Sequence, residues 1–385
     1  MKPTQIATEV NKIVTNILGE NATLIAEDFS NIVDVGRDLQ NAMGLEAFYK
    51  EIHDVLVRNI YVDRPYDGAL PSVLYEEWEY GALLGKVDAD LLDATTNEAF
   101  ELVNGSSVDP FVINIPKVRQ KFFNKAVTFE IDVTKPEDQV KCAFQSRQDM
   151  ERFFAMIETK VRSSMNLRIE ALIFATLDNM IAATYDNGTA SPRVVKLLTD
   201  YNTTAGTSLS ADQALINDGF LRYACGVIMK YKKKLAKYRT LYNMEGQPRH
   251  TPESELHAIA QIDFATAVKT HLQSTTYHED LVKLPRYEEV ASWQGVEDDD
   301  SLASNMKIDC TCVVPDGNGG ETTKSVTVQY LAFVYFDHMA LGVCQPIRTV
   351  KTVYNPKGEY FNDFHKWRAK YWNSFDENMV IFLIA

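Results

Sequence analysis

From Ser146 to about Tyr185 apolar residues recur in steps of three and four: Met150, Phe154, Ile157, Val161, Met165, Ile169, Leu172 or Ile173, Leu177, and Met180 or Ile181. That period predicts one long amphipathic helix. Ser146 and Asp149 form a capping-box-like start, Asp186-Asn187-Gly188 forms a stop, and Glu158 and Arg162 pair four apart on the polar side. At about 1.5 Å per residue such a helix spans roughly 55–60 Å, beyond the width of a small domain. Arg162, Arg168 and Glu170 exclude a membrane span, and the drifting stripe lacks the strict heptads of a long coiled coil. The pattern predicts a spine along which other elements are strung.

Before the spine the pattern changes twice. Residues 1–64 read as short amphipathic helices (Ile6 to Ile17, Phe29 to Val35, Leu45 to Val57) punctuated by Gly19, Gly36 and Gly44. They form either an ordinary helical subdomain or an arm laid across a neighbouring subunit. From Pro65 to Pro136 helical period is lost. Aromatic and acidic residues mix in Tyr75 to Gly81, Leu91 to Val103 is compatible with a short helix, and Asn104 to Ser107 is turn-rich. Val127 to Val133 alternates with period two, as a strand with one apolar face does. A long excursion with thin apolar content projects from its domain to reach something.

After the spine, Ser210 and Gln213 open a second helix with Phe220, Ala224, Val227, Tyr231, Leu235 and Tyr238 on one face. Its end carries Lys230, Lys232, Lys233, Lys234, Lys237 and Arg239. These cations either favour the helix C-terminus and solvate an exposed face, or form a basic patch that touches phosphate. A strand from His257 to Ile262 and a helix from Asp263 follow, and Glu297 to Asp300 caps a surface loop. Met306 to Val314 and Lys324 to Val334 flank the turn signal Asp316 to Gly320, and Ile347 to Tyr354 and Glu359 to Ala369 flank Asn355-Pro356-Lys357-Gly358: two hairpins. Met379 to Ala385 has no polar face, as in a fully buried central strand.

The 385 residues suggest two or three domains, and 45% hydrophobic with 24% charged residues permits large cores. A net charge of −14 argues against a general nucleic-acid binder. The five cysteines (Cys142, Cys225, Cys310, Cys312, Cys344) make no disulfide framework, and Cys310 and Cys312 lack zinc-ligand spacing, so buried free thiols are expected. No signal peptide or membrane span is legible, which places the chain in a cytosol-like compartment. Phosphate loops, dinucleotide fingerprints, H-E-x-x-H and G-x-S-x-G are missing. His278-Glu279-Asp280 reads as solvated loop, His338 beside Asp337 as a structural histidine, and Trp367, Tyr371 and Trp372 as core and interface packing. The sequence predicts no catalytic, cofactor-binding or metal-binding residue, and no cofactor.

The order of elements resembles the major capsid proteins of tailed bacteriophages, the Hong Kong 97 type. Two stretches are similar to coat proteins of short-tailed phages of Gram-positive hosts. One is Thr128 to Asp186, where Ala143-Phe144 leads into the spine. The other runs from Tyr335-Phe336-Asp337-His338-Met339 through Thr349-Val350 and Asn355-Pro356-Lys357-Gly358 to Asn378-Met379-Val380-Ile381-Phe382. The resemblance covers residues 70–385 and departs from the family in the N-terminal helices.

The resemblance implies an α+β fold with an N-terminal helical arm (1–70), an extended β loop over the adjacent subunit (71–145), a peripheral domain with the spine (146–250), an axial domain (251–345) and a C-terminal return to the peripheral domain (346–385). The extra immunoglobulin-like domain of some relatives is expected to be absent, since the sequence stops at Ala385. It also implies a non-enzymatic shell protein that assembles with identical subunits, through pentamers and hexamers, into an icosahedral head around double-stranded DNA. The implied partners are a scaffolding protein, a portal and weakly contacted DNA, with no membrane. Assembly would take place in the host cytoplasm, and the virion capsid would be the final location. An encapsulin-like cellular compartment and a soluble enzyme are the alternatives.

Overall fold

The computed structural model describes residues 70–75, 84–89, 113–136, 147–188, 191–272, 284–294, 301–315, 320–344 and 347–385, with single positions 11, 92, 94, 96, 100, 103–105, 107, 109 and 111. In chain order the elements are β1 (Leu74–Tyr75), β2 (Leu84–Ala89), β3 (Val118–Phe123), β4 (Ala126–Pro136), α1 (Arg147–Asp186), β5 (Val194–Lys196), α2 (Leu197–Ala205), α3 (Ala211–Leu215), α4 (Asp218–Leu235), β6 (Leu256–Gln261), α5 (Ile262–Ala267), β7 (Glu288–Val290), α6 (Leu302–Asn305), β8 (Ile308–Pro315), β9 (Glu321–Val328), β10 (Leu331–Asp337), β11 (Leu341–Cys344), β12 (Ile347–Asn355), β13 (Tyr360–Asn373) and β14 (Met379–Leu383). The fold is α+β, as expected. The helices of residues 1–64, Glu76 to Gly81, Cys142, Ser146, His278-Glu279-Asp280, Glu297 to Asp300 and the turn at 316–319 lie outside the described residues.

The chain forms two compact units. Among the described elements, the first holds β4, α1 up to Leu172, β12 and β13 up to Ala369. Here β12 and β13 pair antiparallel from Ile347↔Arg368 to Asn355↔Tyr360, and β4 joins β13. The connection turns because the Asn355 side chain accepts from the backbone N–H of Lys357 at 3.0 Å and Gly358 at 3.3 Å. Lys135 and Asp363 pair in the interior of this sheet, both almost fully buried, and Thr352 donates a second hydrogen bond to Asp363 at 2.7 Å.

The second unit holds Ser72–Lys125, Ile173–Cys344 and Lys370–Ala385. Its central sheet has the order β5-β14-β10-β6-β7. The two middle strands, β14 and β10, are buried at every position, and their uninterrupted apolar runs follow from cover on both faces. Helix α4 lays Phe220, Leu221, Ala224, Cys225 and Ile228 into one cluster with Ala260, Phe333, Tyr335, Val380 and Phe382 of the sheet. The C-terminal part of α1 is buried at Ile173, Leu177 and Met180 to Ala183. It ends where expected: Asn187 and Gly188 fold back on Ala183 and Tyr185, and a Cβ on Gly188 would meet Ser191 Oγ at 2.5 Å.

Two expectations need correction. The second helix is two helices. Ser210 and Gln213 do form a reciprocal capping box, but it opens only the five residues of α3. Asn217 then takes an extended conformation and caps α4 by accepting from the Phe220 N–H, and α4 ends at Leu235, short of Tyr238. Likewise Lys324 to Val334 is not one strand. Tyr330 adopts a left-handed φ of 57°, which divides β9 from β10 and lets the Leu331 N–H reach Met306 and the Tyr330 carbonyl receive Ile384.

Candidate assembly surface

Strands β2 and β3 form an antiparallel ribbon, Leu84↔Phe123 to Ala89↔Val118. Alternation places Lys86, Asp88, Arg119 and Lys121 on the more buried face and Val87, Val118 and Phe122 on the exposed one. The ribbon's charged side chains turn inward beside Leu84 and Phe123, while Val87, Val118 and Phe122 turn to solvent. In the stretch between the two strands, Phe100, Phe111, Ile113 and Ile115 are each more than 80% exposed. Among the described residues, nine of the seventeen large exposed hydrophobics lie between Val87 and Phe122, so the apolar exposure is concentrated and not scattered.

The inward charges hold the ribbon at its root. Lys86 and Lys121 face each other across the strands, an arrangement that repels unless an anion is shared. Asp376 supplies it, at 2.8 Å from Lys86 and 3.4 Å from Lys121, and Glu377 also binds Lys86. Arg249 reaches Asp88 at 2.7 Å, Asp376 at 2.6 Å and Glu377 at 3.6 Å. Lys121 also binds Glu245 at 2.6 Å.

Burial alone would raise the Asp376 carboxyl, but hydrogen bonds from Lys86 and Ser374 and the charges of Lys86 and Lys121 hold it well below the usual carboxylate range. Asp88 is lowered mainly by its hydrogen bond to Arg249. Glu377 moves the other way because burial is the largest influence on it. Beside this root lies an open cleft of about 770 Å³, lined by Phe122, Met244, Glu245, Gln247, Tyr371 and Phe375 among others.

The residues singled out from sequence fall elsewhere. His338 Nδ1 lies 3.1 Å from both the Tyr75 hydroxyl and His257 Nε2, and Tyr75 donates to the His338 carbonyl, so His338 anchors β1 as a structural histidine. Trp372 packs on Tyr75 at 4.6 Å, and Gly342 is glycine because a Cβ would strike both rings. Trp367 is buried in the first unit. Cys225, Cys312 and Cys344 are buried free thiols, and Cys310 is half-buried. Lys232 and Lys233 share Glu253. Among the described residues no group of three or more His, Cys, Asp or Glu is placed to hold a metal, and no helix is long and apolar enough to cross a membrane.

Neither ribbon strand was legible in advance. The alternation in Leu84 to Ala89 was available, but its polar face reads as the solvent face. The acids Asp376 and Glu377 are more than 250 residues from Lys86, and no local signal links them.

The Phi29-like phage major capsid protein family model matches residues 10–383. The chain belongs to that family. No curated protein matches the chain by sequence. Similar solved chains include one from the capsid of Staphylococcus phage Andhra, with 11% identity over 80% of this chain and 82% of that chain and a TM-score of 0.49. Another, from the mature capsid of bacteriophage PhiM1, has 7% identity over 83% and 88% and a TM-score of 0.47. A third, from cyanophage P-SCSP1u, has 10% identity over 81% and 86% and a TM-score of 0.44. The family assignment rests on the sequence match. As a major capsid protein the chain is a structural component of a phage capsid, and the cellular-compartment alternative is not favoured.

Proposed function

We propose that this capsid protein has the Hong Kong 97-type organisation and builds an icosahedral head around double-stranded phage DNA from pentamers and hexamers of itself. The ribbon and the residues between its strands act as the extended loop that lies over an adjacent subunit. Residues 146–250 and 346–385 serve as the peripheral domain, 251–345 as the axial domain and 1–70 as an arm. A scaffolding protein and a portal guide closure in the host cytoplasm. The carrying observation is the run from Val87 to Phe122: exposed apolar residues concentrated on the ribbon and the stretch between its strands mark a surface meant for a partner. In a shell of identical chains that partner is a second copy.

Sedimentation of the chain expressed alone, and with scaffold and portal, tests this reading. Megadalton shells, tubes or capsomer rings in negative-stain images are the expected result. A species that stays small at high concentration and with both partners present overturns it.

A further inference from the structure

On α4, Lys230, Lys233 and Lys234 are exposed, and Lys237 lies just beyond the helix end at the next step of the same spacing. These positions share one face. The opposite face is the buried stripe of Phe220, Ala224 and Ile228. Lys232 and Arg239 flank the lysines, making six cations within ten residues of a chain with a net charge of −14.

Among the described residues, the surrounding groups leave most of that charge uncompensated. Glu253 takes Lys232 at 3.0 Å and also Lys233, and the Lys234 ammonium sits 4.3 Å over the Tyr231 ring. Asp200 is close enough to act on Tyr231. The helix dipole contributes about half a negative charge at this end. Together these offset fewer than half of the six positive charges, so helix-end stabilisation does not account for the stripe. The surface offers flexible ammonium groups, each a compact point charge on a long stem, a chemistry suited to repeated anionic groups. From Lys230 to Lys237 is roughly 10 Å of helix, against one charge per about 1.7 Å along duplex DNA.

We propose that this lysine stripe is a sequence-independent contact for the phosphates of double-stranded DNA, on the face of the subunit turned toward the packaged genome. The assignment rests on the capsid reading above and fixes which side of α4 faces the lumen. Lysines of this kind hold DNA loosely and let it slide, as packaging and ejection require.

Unassembled full-length subunits, wild type and K230Q/K233Q/K234Q/K237Q, are titrated with a mixed-sequence DNA duplex over a range of low salt. The expected variant keeps its circular dichroism and its sedimentation behaviour. Its log affinity against log salt flattens by about two to four, near 0.9 for each phosphate that the variant no longer neutralises. Equal affinity and slope for the two chains overturn the proposal, as does polyglutamate bound as tightly as DNA, which assigns the stripe to an acidic protein segment. As a second measurement, amine-reactive labelling of Lys230 and Lys237 is compared in DNA-filled and emptied heads. Several-fold protection in filled heads is expected, and equal labelling overturns the proposal. Failure of the wild type to form shells even with scaffold and portal would instead sink the proposed head organisation, which separates the two outcomes.

Discussion

Asp178 carries a carboxyl only 4% exposed in α1, with Oδ1 lacking a partner among the described residues. Burial pushes its pKa up to about 8, so it stays protonated at neutral pH. The neighbouring Cys310 thiol is pushed up to about 12, first by burial and then by Asp178. A carboxyl raised in the folded state contributes stability that is fully present below about pH 4 and is lost as pH rises through about 8. Asp178→Asn keeps the neutral shape and should flatten that loss in thermal melts of the subunit between about pH 5 and about pH 9. Parallel pH profiles for the two proteins would contradict this. The Lys135–Asp363 pair behaves differently, since each group is buried and neutralised by the other. Asp363→Ala strands a buried ammonium and should cost about 3–5 kcal/mol in denaturant unfolding. Replacing both by apolar residues should cost much less.

Among the elements, the ribbon depends most on distant support. An isolated two-stranded ribbon is marginal in water, and this one turns Val87, Val118 and Phe122 outward. Its position therefore depends on Lys86, Lys121 and Asp88 meeting Asp376, Glu377, Glu245 and Arg249. Asp376→Asn should loosen β2 and β3 in amide exchange, leave the central sheet protected and yield malformed shells. Unchanged exchange in the ribbon would refute the clamp. The pH sign follows from Asp376 being lowered: its contribution is present above about pH 4 and lost as pH falls. Glu377, raised by burial, opposes it weakly. At the start of α4, Asn217→Ala removes the cap on Phe220 and should cost about 1 kcal/mol.

For the whole molecule, the exposed apolar residues between the ribbon strands lie outside the subunit's own buried cluster, and in the proposed assembly they are covered by a neighbour. Phe111→Ser with Ile113→Ser should therefore leave the melting of the lone subunit nearly unchanged and abolish or sharply reduce shell formation in sedimentation. Such residues are where interface energy concentrates once water is excluded. A variant that assembles normally would move the subunit interface to another surface.

The spine, the Asn355 turn, the buried last strand and the capping box at Ser210 were all legible, because each depends on spacing within a few residues. The break at Tyr330 was not, because a left-handed tyrosine carries no local signal. The break at Asn217 had one, a capping residue, but the apolar spacing continued through it. The ribbon was not legible for a physical reason: alternation tells which residues share a face, not which face meets water. Sequence by itself determined the periodic elements and the α+β class, since local propensity and hydrophobic period are written into neighbouring residues, and the order of those elements with the stretches at 128–186 and 335–382 carried the resemblance to phage shell proteins. Only the tertiary structure decided that charge turns inward on β2 and β3, that Asp178 is buried without a partner for Oδ1, and that one face of α4 is left cationic. Each of those depends on which distant side chains arrive to supply or withhold a counter-charge.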